Sequence, residues 1–294
     1  MTYSIIAHDP ESGEVGGAVA SFYFAVGPAV LWARPGAGVV ITQMMPEPAH
    51  AAHGLTRMER GERAGSVLTA LLAGDPASAT RQLALLDARG QLAAYTGSQC
   101  IAYAGHRTGP HASVHGAILE RDGVWNEVYE AFVRAEGSLA ERLLTALERG
   151  EELGGDLRGT RSAALVVVKT AATERPWLDT SVDVRVDGHP EPLKEMRRLL
   201  GLHEFYARAN RALEMALGGH IDGGLSDFAR LAEERPDDSD VAFRHALLLA
   251  LAGDLDKARS RLAVCYRLGD RWRELVRRLG PAGFLPEDKV ASLL

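Results

Sequence analysis

The residue with the most chemistry to offer stands second in the chain. Removal of Met1 would leave Thr2 with a hydroxyl and a free α-amine on one residue. An α-amine, with an ordinary pKa of about 7.7–8.0, can take the hydroxyl proton as the oxygen attacks a carbonyl. A small second side chain suits methionine removal, and the β-rich run YSIIAHD that follows at once would hold the pair rigidly. The plain alternative is a chain that merely starts with threonine. A second concentration of chemistry is GGDLRG at 154–159. Its glycines allow a tight loop whose backbone amides point at an anion, and Arg158 beside Asp156 is suited to grip a substrate carboxylate with two parallel hydrogen bonds. The alternative there is an Asp–Arg pair that only fastens the loop under the next strand.

His50 and His53, then His106, His111 and His115, are spaced as zinc ligands sometimes are, but no cysteine or carboxylate cluster accompanies them. Neither a metal nor a cofactor is therefore expected. Cys100 near His106 offers a thiol–imidazole pair, against which stands the usual burial of a lone cysteine.

The elements that must position these residues alternate between strand and helix. YSIIAHD and VGGAVASF, separated by PESGE, read as a hairpin; AVLWARPG with GVVITQ, and RQLALLD with QLAAYTG, read as two more. SAALVVVK and SVDVRVD close the β-rich part, and the second alternates as a strand with one wet face. Helical spacing covers residues 49–73 and 124–149, the latter broken at Gly137-Ser138 with Ser138 as a new N-cap. Hairpins, then helices, then hairpins predict an α+β fold of antiparallel sheets with helices packed outside. The prolines and glycine of VDGHPEP mark a boundary, giving domains at 1–192 and 193–294. In the second, ALGGHIDGG from Ala216 repeats as ALAGDLDKA from Ala250, a shift of 34 residues. That period is the signature of tetratricopeptide-like paired helices, here about two units, expected to mediate contact with a protein partner or a second copy.

The 294 residues carry a net charge of −6, with Lys and Arg dispersed except around Arg271, Arg273, Arg277 and Arg278. That distribution argues against nucleic acid, and the local arginines read as a solvated helix face. The longest strongly apolar run, SAALVVV, has the length of a strand and falls far short of a membrane span. Two distant cysteines and the early charges His8, Asp9, Glu11 and Glu14 fit a reducing, cytoplasmic setting without a signal peptide.

Residues 2–200, in collinear order and most specifically at GGDLRGTRSAAL, resemble the bacterial family of unknown function numbered 1028, which is placed in the N-terminal-nucleophile hydrolase-like fold. The resemblance implies a four-layer αββα sandwich, relatives that cleave amide bonds, and Thr2 as nucleophile toward an amide or related acyl bond of a small substrate. It adds Ser21 as a further catalytic residue, Gln43 as a substrate-binding one and Ser162 as a matched polar position, beside Asp156 and Arg158. The chain departs from the family pattern at Phe22, where a lysine is usual, and at PEPAHAAHG, which lacks the usual Asn and Tyr. It departs again at His115 and Ala117, which replace Gln and Asn. An alanine cannot serve as an oxyanion donor, so these departures imply a changed substrate or, as the alternative reading, a catalytically degenerate scaffold that acts through its helical repeats.

Overall fold

The strand Thr2–Asp9 (β1) shows why the fold is layered. Its odd residues Tyr3, Ile5 and Ala7 join one apolar cluster and its even residue Ile6 joins another, so both faces of the strand are covered. A strand with two buried faces belongs to an inner layer. The computed structural model describes residues 2–294; Met1, and with it the expected removal of the methionine, lies outside the described residues.

The chain continues through β2 (Glu14–Ser21), α1 (Val26–Val30), β3 (Leu31–Arg34), β4 (Gly38–Met44), α2 (Pro48–Glu59), α3 (Ala64–Ala73), β5 (Arg81–Asp87), β6 (Leu92–Thr96), β7 (Gly105–Thr108), β8 (Ala112–Ala117), α4 (Val124–Arg134), α5 (Leu139–Glu152), β9 (Ser162–Lys169) and β10 (Thr180–Val186). The helices α6 (Pro192–Leu217), α7 (Ile221–Glu234), α8 (Ser239–Ala252), α9 (Leu255–Tyr266), α10 (Arg271–Leu279) and α11 (Glu287–Leu293) follow. The strands form two antiparallel sheets, one ordered β10-β9-β2-β1-β8-β7 and the other β3-β4-β5-β6. Ile6, Val15, Val19, Val39, Ile41, Ala84 and Leu86 fill the space between them. Helices α4 and α5 cover the outer face of the six-stranded sheet, and α2 and α3 that of the four-stranded one. The expected α+β sandwich, helix–sheet–sheet–helix, is the architecture found.

Helix signals at 49–73 resolve into two helices because the chain reverses at Gly61, where φ is 91°. Ser138 starts α5 with a capping box: its hydroxyl accepts from the Glu141 amide at 3.3 Å while the Glu141 carboxylate accepts from the Ser138 amide at 2.7 Å. Strand β10 keeps one wet face, as its alternation implied.

The chain divides into two compact units, one ending at Leu200 and one running from Gly201 to Leu294. In the second, the 34-residue shift lays the last turns of α6 on α8 and all of α7 on α9. Ala212 and Ala246, Ala216 and Ala250, and Phe228 and Leu262 are buried in pairs. No helix among the described residues is long and apolar enough to cross a membrane.

Candidate functional site

The layer between the sheets is apolar at one end and polar at the other. Inward positions of the strands change from Ile6, Val19 and Ile41 to Thr2, Ser4, Ser21, Gln43, Gln82, Ser113 and His115, all buried. Burying that many polar groups is costly unless each is hydrogen-bonded. Thr2, only 3% exposed, donates its hydroxyl to Ser21 Oγ at 3.2 Å. Gln43 Nε2 donates to the Thr2 carbonyl at 3.2 Å and to Gln82 Oε1 at 2.7 Å, while Gln43 Oε1 accepts from Ser4 Oγ at 2.8 Å. Three of the sequence-derived candidates, Thr2, Ser21 and Gln43, therefore share one cluster.

The direction of every amide in this cluster follows from backbone carbonyls. Gln82 Nε2 lies 2.9 Å from the Gly105 oxygen and 2.8 Å from the Gly116 oxygen, which can only accept. Gln82 must therefore turn its Oε1 toward Gln43, and Gln43 in turn must present its NH2 to Gln82 and to Thr2. A donor–acceptor order set by strands β7 and β8 thus reaches the Thr2 carbonyl through two side chains. Gln82 carried no signal that sequence reasoning used; its strand alternation, QLALLD with Gln at an inward position, was the only hint.

Asp156 and Arg158 join the same end of the sandwich through Phe22. The Asp156 carboxylate accepts from the Phe22 amide at 3.1 Å, one residue beyond Ser21, and from the Arg158 amide at 3.0 Å. Arg158 grips it with Nε at 3.2 Å and Nη2 at 3.1 Å. The loop's glycines do permit the turn, since Gly154 and Gly155 adopt φ of 97° and 52°. Its amides, however, are occupied: those of Gly154, Gly155, Leu157 and Gly159 bond to chain carbonyls. The anion that the loop was expected to hold is its own Asp156. Ser162 accepts from the Val26 amide at 3.1 Å and donates to the Tyr23 carbonyl at 2.5 Å, fixing the segment after Ser21.

Two strained residues flank the cluster. Met44, next to Gln43, and Ile118, next to Ala117, have φ of 72° and 52°. The left-handed region costs a non-glycine residue roughly 1–2 kcal/mol, and such strain concentrates at functional sites.

The histidines do not converge. His106 and His115 lie side by side with ring centroids 6.1 Å apart, His8 faces His111, and His50 approaches Asp75 at 3.6 Å. Among the described residues no three potential ligands come together around a metal position. His115 is wholly buried with Nε2 2.8 Å from Ser113 Oγ, and burial, aided by His106, lowers its pKa to about 3. Cys100 does not pair with an imidazole: its thiol donates to the Arg81 carbonyl at 3.3 Å, and burial raises its pKa, which disfavours thiolate.

The family described as "Family of unknown function (DUF1028)" matches residues 2–196. The chain belongs to this family. It is also similar to the crystal structure of protein SPO2555 from Silicibacter pomeroyi, assigned to DUF1028. The identity is 30%, the match covers 75% of this chain and 92% of that one, and the TM-score is 0.61. No curated protein matches. Within this DUF1028 domain Ala117 stands directly across from Thr2 in the β1–β8 register, so the neighbouring side chain there is a methyl group. His115 is bonded to Ser113 and is opposite Ser4. Phe22 lies under two guanidinium groups, with Arg158 4.7 Å and Arg161 4.4 Å from its ring centre.

Proposed function

We propose that the first unit is an N-terminal-nucleophile-type hydrolase in which Thr2, freed by removal of Met1, cleaves an amide or related acyl bond in a small substrate. The observation that carries this reading is the Thr2–Ser21–Gln43 cluster: a residue on the first strand whose hydroxyl bonds Ser21 Oγ and whose carbonyl accepts from Gln43, at the polar end of an αββα sandwich. Thr2 Oγ1 attacks the acyl carbon, and its α-amine takes the hydroxyl proton and passes it to the departing nitrogen as the carbon–nitrogen bond breaks. Water then hydrolyses the Thr2 ester and regenerates the hydroxyl. Ser21 Oγ, 3.2 Å from Thr2 Oγ1, is within reach of the oxygen that gains charge. Gln43 holds the Thr2 backbone so that the amine and hydroxyl keep one geometry. Asp156 and Arg158 position the substrate beside Ser21 through Phe22.

The test is hydrolysis of a panel of N-acyl amino acids by protein whose mass confirms loss of Met1. Activity that disappears in Thr2→Ala and persists in Thr2→Ser supports the reading. Equal activity in wild type and Thr2→Ala sinks it.

A second reading, contact with a partner through the tetratricopeptide-like unit, is favoured by Leu217, Leu251, Leu268 and Phe284, which that unit leaves exposed. Sedimentation that shows a monomer unable to retain any partner from its own cell extract would count against it.

A further inference from the structure

An open pocket of about 460 Å³ lies beside Phe22, bounded by Arg158, Thr160, Arg161 and His189. Its floor is the Phe22 ring, and two cations share that ring. Arg158 is half neutralised in effect: its Nε and Nη2 are held by Asp156, which leaves Nη1 unoccupied by that pair. Arg161 is different. Among the described residues its guanidinium has no carboxylate partner, although most arginines of this chain have one. Its backbone is fixed, because its amide donates to the Ser21 carbonyl at 2.8 Å and its carbonyl accepts from His189 at 2.9 Å. His189 Nδ1 accepts from the Glu191 amide at 3.0 Å, so a neutral imidazole carries its proton on Nε2 as a donor.

The pocket therefore combines an uncompensated guanidinium, the free edge of a second, an imidazole N–H and an aromatic floor. Arginines in this arrangement recognise planar oxyanions, and stacking pre-orients the fork. A guanidinium with no counter-charge at the rim of a pocket with an aromatic floor is placed to take an anion.

We propose that Arg161, with Arg158 and His189 over Phe22, binds a carboxylate group of the substrate. The placement supports the assignment: Arg161 is bonded through its amide to Ser21, and Ser21 accepts from Thr2. A carboxylate held over Phe22 thus lies along the same strand end as the nucleophile. The role as a substrate subsite rests on the hydrolase reading, whereas carboxylate binding itself does not.

The experiment is calorimetric titration of the full chain with succinate, its uncharged counterpart succinamide, and inorganic phosphate. Wild type and Thr2→Ala should bind succinate alike, with succinamide about tenfold weaker or more. Arg161→Gln should weaken succinate about tenfold, and Arg161→Lys should recover part of the loss. Arg161 is exposed and its guanidinium lies over the Phe22 ring, so these variants should keep the wild-type melting temperature. Succinate binding untouched by Arg161→Gln, or phosphate bound as tightly as succinate, overturns the proposal. Succinate binding that depends on Arg161 in a protein with no acyl hydrolysis leaves the carboxylate site standing and removes the hydrolase reading.

Discussion

Replacing Gln43 by leucine removes the middle of the amide chain and leaves the surrounding apolar packing of similar size. Three contacts go: those to the Thr2 carbonyl, to Gln82 Oε1 and from Ser4 Oγ. The Ser4 hydroxyl can turn elsewhere and the Thr2 carbonyl keeps its place in the β1–β8 ladder opposite Ala117, but the buried Gln82 Oε1 loses its donor, at about 1–3 kcal/mol. The bond lost at the Thr2 carbonyl adds about 1 kcal/mol and the added apolar burial offsets roughly 1–2 kcal/mol, so the expected loss is about 1–2 kcal/mol. Gln82→Leu breaks the same mutual bond from the other side. The double variant should therefore cost about 1–2 kcal/mol less than the sum of the two single ones. Urea denaturation followed by tryptophan fluorescence measures this, in a Trp272→Phe background so that Trp32, Trp125 and Trp177 report the first unit. Strict additivity of the pair would refute the donor–acceptor ordering.

Three further outcomes follow from the same reasoning. Asp156→Ala strands the Phe22 and Arg158 amides and should cost about 2–4 kcal/mol, with Asp156→Asn, which keeps one acceptor, at about half; the partly exposed guanidinium adds little. Thermal unfolding of the two variants checks both the loss and its order. His115, with a folded pKa of about 3 against an ordinary 6.5, takes up a proton only in the unfolded chain between those values. Its contribution is whole above pH 6.5 and is lost as pH falls, by roughly 1.4 kcal/mol per pH unit. His115→Gln should flatten the stability–pH curve by one proton between pH 6 and 4, and an unchanged slope would contradict the burial argument. In Gly150→Ala the new methyl would meet the Tyr3 ring at 2.7 Å, and Tyr3 is held by Glu151 at 2.6 Å. The clash should outweigh the ~1 kcal/mol gain in helix propensity and lower the urea midpoint, by about 1–2 kcal/mol in stability.

Much of the frame was legible in the sequence because alternation and turn chemistry are local. PESGE, RPG and ARG each fell between two strands that pair, and Ser138 was readable as a cap because a Glu stands three residues later. Strands β7 and β8 were not legible: GHRT is short, and ASVHGA places Ser113 and His115 where a half-wet strand would show polar residues. Only the second sheet makes those positions buried, and no local pattern carries that fact. For the site, Thr2 could be singled out by its chemistry and Ser21 and Gln43 by resemblance. Their convergence depends on strand register. The loop at 154–159 misled in one respect: glycine spacing announced a turn around an anion, but only the fold shows that the anion is Asp156. Gln82 went unread because a glutamine in a strand is ordinary until carbonyls from β7 and β8 meet it.

The central claim, that Thr2 is a nucleophile activated by its own amine, is tested most directly with a β-lactone, which an activated hydroxyl opens to form a stable ester. The protein is treated at neutral pH, its intact mass is measured, and the modified peptide is sequenced by tandem mass spectrometry. The account predicts a chain lighter by one methionine carrying a single acyl group on Thr2, and no adduct in Thr2→Ala. A chain that retains Met1 ahead of Thr2, or an adduct that survives Thr2→Ala unchanged, would contradict it.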